Sequence, residues 1–365
     1  MFGNVMNIKN IIVIAGVCAA MSALTACDKV SPQGVLMAGT GVNDRVRMSI
    51  NYYTDTFDKK GDLYATESEY SFLVAADSHV TTDTMRMHEM FSIAMENNDL
   101  FVAHLGDIAD TKPEYYSLLK QVVNNYNETY FQTRIKPMFV CDPETRMYYD
   151  PYLPIIKYTE SELRQEMQIN PFFPVVGNHD ITHNGWALWS DIFKSSFYEF
   201  NIIVGDTGRK DHFIFLDTAS GTLGNVQIDA IDEGLLDFYL GDVLEEDDDE
   251  EGFDNTPRHT FLFSHTNLFR PNTIQFASTF PREEMYYLLD RLHKWDVTAM
   301  FCGHVHAWDD RVIGGVRYIT LDSMSERNSP EPGDYLVRVN VHADGTWDIE
   351  RVHMNYTTKN KSAAS

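Results

Sequence analysis

Residues 297–306 read Val-Thr-Ala-Met-Phe-Cys-Gly-His-Val-His. An apolar run of strand composition breaks at Gly303 and presents His304 and His306 just beyond its end. The same arrangement recurs upstream. Residues 71–76 (SFLVAA) run into Asp77-Ser78-His79, and 100–105 (LFVAHL) into Gly106-Asp107-Ile108-Ala109-Asp110. Residues 172–176 (FFPVV) run into Gly177-Asn178-His179-Asp180, and 260–264 (TFLFS) into His265. Helical stretches are expected over 84–97, 114–125, 228–240 and 282–295, whereas 311–321, 335–342 and 346–353 have strand composition with no helix between them. This is an α/β order that finishes in consecutive strands. Open α/β sheets bind ligands at the carboxyl ends of their strands, so the polar clusters are expected to converge.

The converging groups are Asp77, His79, Asp107, Asn178, His265, His304 and His306. Imidazoles and oxygen ligands without thiolates suit Mn, Fe, Zn or Co. Two such ions roughly 3.5–4 Å apart generate hydroxide at neutral pH and clamp a phosphoryl oxygen. Gly177 is expected to free the backbone for a sharp turn. Cys302 reads as strand packing, and His104, which shares a strand face with Gly106, reads as a core residue.

Taken in order, Asp-x-His, Gly-Asp-x-x-Asp, Gly-Asn-His-Asp, a lone His and Gly-His-x-His resemble the signature of the calcineurin-like metallophosphoesterase superfamily, over roughly residues 68–325. The resemblance implies a four-layer α/β/β/α sandwich of two mixed sheets with the site at one edge. It implies that Asp77, His79 and His306 hold one metal, that Asn178, His265 and His304 hold the other, and that Asp107 bridges the two. His179 would donate a proton to the leaving oxygen or steady the transition-state charge, Asp180 would orient His179, and Asp110 would brace the bridging loop. The chain departs from the pattern at Asn267, where Pro often stands, which puts a polar group near the substrate or loosens that loop. It departs again in the long spacing between Asp107 and Asn178. The segment 126–170, rich in Tyr, reads as an insertion near the site edge or as a surface excursion. His183 stands in a loop where a substrate could be touched.

Of the 365 residues 44% are hydrophobic and 23% charged, the balance of a folded protein. The net charge of −25 argues against long nucleic acid as a partner. Four cysteines exclude a disulfide framework. Lys9 precedes an apolar run over 11–26, shorter than the ~20 residues of a spanning helix. It ends Leu24-Thr25-Ala26-Cys27, which resembles a bacterial lipobox. The expected organisation is a signal peptide over 1–26, lipidation at Cys27, a tether over 27–45, a catalytic domain over 46–356 and a polar tail over 357–365. The acidic run 245–251 reads as a solvated loop. The expectation is an envelope lipoprotein held in a membrane through Cys27. It would be a dimetal hydrolase in which a metal-bridging hydroxide attacks a small phosphomonoester or phosphodiester, with no organic cofactor and no protein partner inferable. A catalytically idle binding or scaffold protein, a nucleotide pyrophosphatase and a lipid headgroup hydrolase are the alternatives.

Overall fold

The computed structural model describes residues 40–56, 63–65, 67–151, 153–166, 171–205, 209–233, 256–269, 280–325 and 335–354. The expected signal peptide, Cys27, most of the tether, the acidic run and the tail lie outside them. Among the described residues no helix is long and apolar enough to cross a membrane.

Two mixed sheets stack face to face. The first has five strands in the order β15-β14-β2-β3-β7. These are β2 (Tyr70–Ala75), β3 (Val102–His104), β7 (Phe172–Pro174), β14 (Tyr335–Val341) and β15 (Trp347–His353). The second has seven, in the order β1-β8-β9-β10-β11-β13-β12. These are β1 (Leu63–Ala65), β8 (Tyr198–Val204), β9 (Arg209–Phe215), β10 (Thr260–Ser264), β11 (Ala299–Cys302), β12 (Asp309–Ile313) and β13 (Val316–Thr320). Strand periodicity sorts the side chains into three cores. Phe72 and Val74 meet Phe213, Phe215, Phe261, Phe263 and Phe301 between the sheets. Their neighbours Leu73 and Ala75 face helices α2 (Met85–Glu96), α3 (Pro113–Tyr130) and α6 (Trp186–Phe193). On the outer face of the larger sheet, Ile214, Leu262 and Met300 meet α1 (Val42–Thr56), α7 (Gly224–Glu233) and α8 (Arg282–Lys294). The result is the expected four-layer α/β/β/α sandwich. Each buried Phe contributes about 1.5–3 kcal/mol relative to exposure, so the central layer fixes how the two sheets stack.

β2, β3 and β7 are mutually parallel, as are β9, β10, β11 and β13. Every motif read from the sequence therefore leaves the same kind of strand end. The run 311–321 divides into an antiparallel hairpin, β12–β13, at Gly314 and Gly315, both with positive φ.

Three expectations on organisation need correction. The tether was expected to reach residue 45, but α1 begins at Val42, and Val42, Arg45 and Val46 are buried. The insertion was expected to begin at 126, but 126–130 continue α3 and bury Tyr126 and Tyr130. Nor does it sit near the site edge. α3 starts beside the Asp107 loop and runs for about 27 Å, until the Tyr130 hydroxyl donates to the Leu100 carbonyl at the start of β3. From there the chain forms a three-stranded sheet of β4 (Val140–Cys141), β5 (Tyr148–Asp150) and β6 (Leu153–Tyr158), followed by α4 (Glu160–Glu166). It re-enters at the start of β7, where Val102 N donates to Pro171 O. The segment thus hangs from the strand edge opposite the motifs, because helix length carries it there.

His104 is wholly buried on β3, and neither ring nitrogen has a hydrogen-bond partner among the described residues. Burial pushes its pKa down to about 3. A histidine depressed from its ordinary 6.5 contributes stability above pH 6.5 that is lost as pH falls toward 3, at about 1.4 kcal/mol per pH unit. Metal-free His104→Leu should therefore gain on metal-free wild type by about that slope between pH 6.5 and 5 in urea unfolding. A gap independent of pH would show that His104 is not held neutral.

Candidate metal centre

Asp77 and His79 follow β2, Asp107 follows β3, and Asn178 opens the four-residue helix α5 (Asn178–Ile181) after β7. His265 follows β10, and His304 and His306 follow β11. Among the described residues their ligating atoms gather into overlapping groups, within each of which the atoms lie within 4.8 Å of one another: Asp77, His79, Asp107 and His306 in one, Asp107, His265 and His304 in another, and His79 with Asp110 and His179 in a third. Asp107 belongs to the first two, which hold the expected ligands. Asn178 joins the second through its Oδ1, 2.9 Å from His265 Nε2. All seven residues expected as ligands therefore meet at one edge.

Hydrogen bonds set which ring nitrogen each histidine offers. His265 Nδ1 donates to the Leu105 carbonyl at 2.7 Å, so Nε2 is the ring nitrogen turned toward the cluster. It lies 2.9 Å from Asn178 Oδ1, 3.1 Å from His304 Nδ1 and 3.5 Å from Asp107 Oδ2. Such a buried convergence of nitrogen and oxygen atoms can be satisfied by protons or by a shared cation. His79 Nδ1 lies 3.3 Å from Asp110 Oδ1, while its buried Nε2 has no hydrogen-bond partner among the described residues. This donor set fits two metal ions, with nitrogen and oxygen ligands and no sulfur.

Charge in the cluster is tightly coupled. Burial pushes the Asp77 carboxyl up, but the His306 hydrogen bond and the charges of His306, His265 and His79 outweigh it and hold Asp77 below the usual carboxylate range. Burial lowers the His79 imidazole, yet the Asp110 hydrogen bond and the Asp107 and Asp77 charges carry it up to about 9. Cations would take the place of these protons, so metal uptake releases them.

Five of the seven residues have left-handed backbones: Asp77 (φ 53°), His79 (43°), Asp107 (51°), His304 (70°) and His306 (56°). Strain of this kind concentrates at functional sites. Gly177 acts otherwise than expected. Its φ of −103° suits any residue. What it supplies is room, because a Cβ there would lie 2.1 Å from Asp107 N and 2.3 Å from Asp107 Oδ1.

Asp180 and Asp110 exchange the roles expected of them. The Asp180 carboxylate is wholly buried and accepts from Gly177 N (2.8 Å), Ile108 N (3.1 Å), Ala109 N (3.2 Å) and the Tyr116 hydroxyl (3.0 Å). It ties the Asp107 loop to the Asn178 turn, and these bonds point it away from the His179 ring. Burial, then the nearby Asp107 charge, raise it to about 7 against those hydrogen bonds. Asp110 lies 3.6 Å from His179 Nδ1 while holding His79. The His179 ring is 48% exposed and meets the His79 ring edge-on at 4.7 Å. Its own backbone N–H donates to Asp107 Oδ1 at 2.7 Å.

Three contacts escaped sequence reading. Ser323 Oγ donates to the Asp77 carbonyl at 2.8 Å, Tyr116 supports Asp180, and Thr218 Oγ1 accepts from His265 N at 3.1 Å. None carries a local sequence signal. Asn267 ties its own loop by donating to the Phe269 carbonyl at 2.6 Å. His183 is exposed, with φ 49°.

The profile of the calcineurin-like phosphoesterase family matches residues 70–308, more than half of the chain. No curated protein matches. Among solved structures, the chain is similar to GAP50, the anchor in the inner membrane complex of Plasmodium (12% identity, 80% of this chain and 90% of that one, TM-score 0.43). It is also similar to a dimetal phosphatase from Danio rerio (12%, 79% and 99%, TM-score 0.37). An archaeal phosphodiesterase follows at 9% identity, covering 77% and 99%, with a TM-score of 0.34. At this level none of them bears on what this chain acts on.

The exchanged roles are testable by stability. Asp180→Asn turns an amide donor toward backbone N–H groups, and each buried donor left unsatisfied costs about 1–3 kcal/mol. Asp110 is partly exposed, so Asp110→Asn should stay within about 1 kcal/mol of wild type. Denaturant unfolding of the metal-free proteins checks this. An Asp180→Asn protein of wild-type stability with lowered kcat would return Asp180 to the task of orienting His179.

Proposed function

The chain belongs to the calcineurin-like phosphoesterase family, and on that premise we propose that it hydrolyses a small phosphoester with the help of two metal ions. The observation that carries this reading is Asp107, the carboxylate that, among the described residues, is common to the two groups of expected ligands. Asp77, His79 and His306 would hold one ion, Asn178, His265 and His304 the other, and Asp107 both. Bound there, the ions would supply activated water at neutral pH and neutralise charge on the phosphoryl oxygens.

The chain's own residues do the rest. Leu105 and Asp110 fix the rings of His265 and His79 through their Nδ1 atoms, so that each turns Nε2 inward. The His179 N–H holds one oxygen of Asp107 and leaves the other facing His265 and His79. The His179 side chain groups with His79 and Asp110, outside the two groups that contain Asp107, and is open to solvent. From there it donates a proton to the departing alkoxide, with Asp110 orienting the ring. No long nucleic acid is expected as substrate on a chain of net charge −25. We place the protein in the cell envelope, anchored through a lipid on Cys27. Loss of the Cys27→Ala protein from the membrane fraction checks this, and its retention there would contradict it.

The function is tested on a panel of phosphomonoesters, diesters and pyrophosphates with Mn, Zn or Fe returned to the metal-free protein. Turnover of none of them favours an idle binding protein. His179→Ala should keep its metals and lose about 10²–10⁴-fold in kcat on alkyl esters, with a smaller loss on nitrophenyl esters, whose leaving group needs no proton. Equal losses on both would remove His179 from the acid role.

A further inference from the structure

We infer that Arg45, on α1 and outside the family match, is a positioning residue for the His265 half of the metal centre. The inference rests on the two-metal reading above. Arg45 is wholly buried, and all three guanidinium nitrogens donate. Nε and Nη2 donate to the two oxygens of Asp217 at 2.8 and 2.7 Å, Nη2 also to Ser220 Oγ at 3.2 Å, and Nη1 to the Thr40 carbonyl at 2.5 Å. Ser196 Oγ adds a further donor to Asp217 at 2.7 Å, and the Gln227 side chain caps the Asp217 N–H at 2.9 Å. The loop that follows β9 is thereby held from the side of α1.

The next residue, Thr218, touches the site. Its Oγ1 accepts the N–H of His265 at 3.1 Å and of Thr266 at 3.0 Å, and lies 3.0 Å from Ser264 Oγ. Thr266 Oγ1 returns a bond to the Thr218 carbonyl at 2.7 Å. Thr218, Ser264, His265 and Thr266 are all buried. A shift of the Asp217–Thr218 loop is therefore transmitted to the backbone of His265, whose ring is pinned on its far side by Leu105. The other half is braced from elsewhere, by Ser323 on the Asp77 carbonyl and by Met324 N on Ala76 O. Arg45 should therefore act on one metal and spare the other.

A bidentate fork is what the geometry uses, and Lys cannot reproduce it. A similar buried pair, Arg338 with Asp99 at 2.9 and 3.1 Å, sits at the opposite strand edge and serves as a control for loss of stability alone.

The test is calorimetric titration of Zn2+ into the metal-free full chain, with elemental analysis of the product. Partners behind a metal ligand typically govern about 10–100-fold in affinity. Arg45→Met should weaken one of the two zinc equivalents by at least about tenfold and leave the other unchanged, with Arg45→Lys between it and wild type. Because Arg45→Met strands a buried carboxylate, Thr218→Val, which keeps the ion pair, is the second arm and should weaken the same equivalent. Arg338→Met should bind both as wild type does. Folded Arg45→Met and Thr218→Val proteins with two wild-type affinities would overturn the inference, as would equal weakening in Arg338→Met. Fewer than two equivalents in wild type would instead overturn the two-metal reading and the inference with it.

Discussion

The carboxylate of Asp107 is the point on which the rest of the site depends. One oxygen is held by the His179 N–H, and the other faces the imidazoles of His79 and His265, which come from different sheets. The turns after β3 and β7, neighbouring strands of the five-stranded sheet, nearly touch at this carboxylate. The missing side chain of Gly177 provides that space, and the buried Asp180 carboxylate stitches the turns together. Asp180 is therefore costly to bury and hard to replace. Asp107 close by raises the Asp180 carboxyl further, and cations on the far side of Asp107 would relieve that repulsion.

Left-handed backbone at five of the seven proposed ligands has a cost of its own, about 1–3 kcal/mol each at most sites, less for Asp and His, which tolerate this region better than other residues. Such conformations persist only where the surroundings over-determine them. Here the phenylalanine layer between the sheets fixes the strand ends, and the loops reach the ligand positions from that frame. Stability resides in the frame and chemistry in the strained ends.

Much of this was legible in the sequence because strands of one kind end in polar residues of one kind. The apolar runs before Asp77, Asp107, Asn178, His265 and His304 became β2, β3, β7, β10 and β11 within a few residues of their expected bounds. The pair β8 and β9 carries an equally clear alternation, Tyr198, Phe200, Ile202 and Val204 facing inward, yet holds no ligand to draw attention to it. α1 was hidden for a different reason. Its buried stripe is Val42, Arg45, Val46 and Ser49, and a fully buried arginine reads as solvent-facing until its partner Asp217, far away in the chain, is known. The roles of Asp110 and Asp180 were not separable by spacing, since each stands close to a proposed ligand. Only the directions of the surrounding N–H groups distinguish them. The place of the insertion followed from the length of α3, which the helical reading ended too early.

If Asp107 joins two metal ions as proposed, anomalous diffraction from crystals of the metal-loaded protein will show it. The account predicts two anomalous peaks about 3.5–4 Å apart, one on each side of the Asp107 carboxylate, with His79 and His265 on opposite ions. A single peak at full loading, or two peaks that do not flank Asp107, would contradict it.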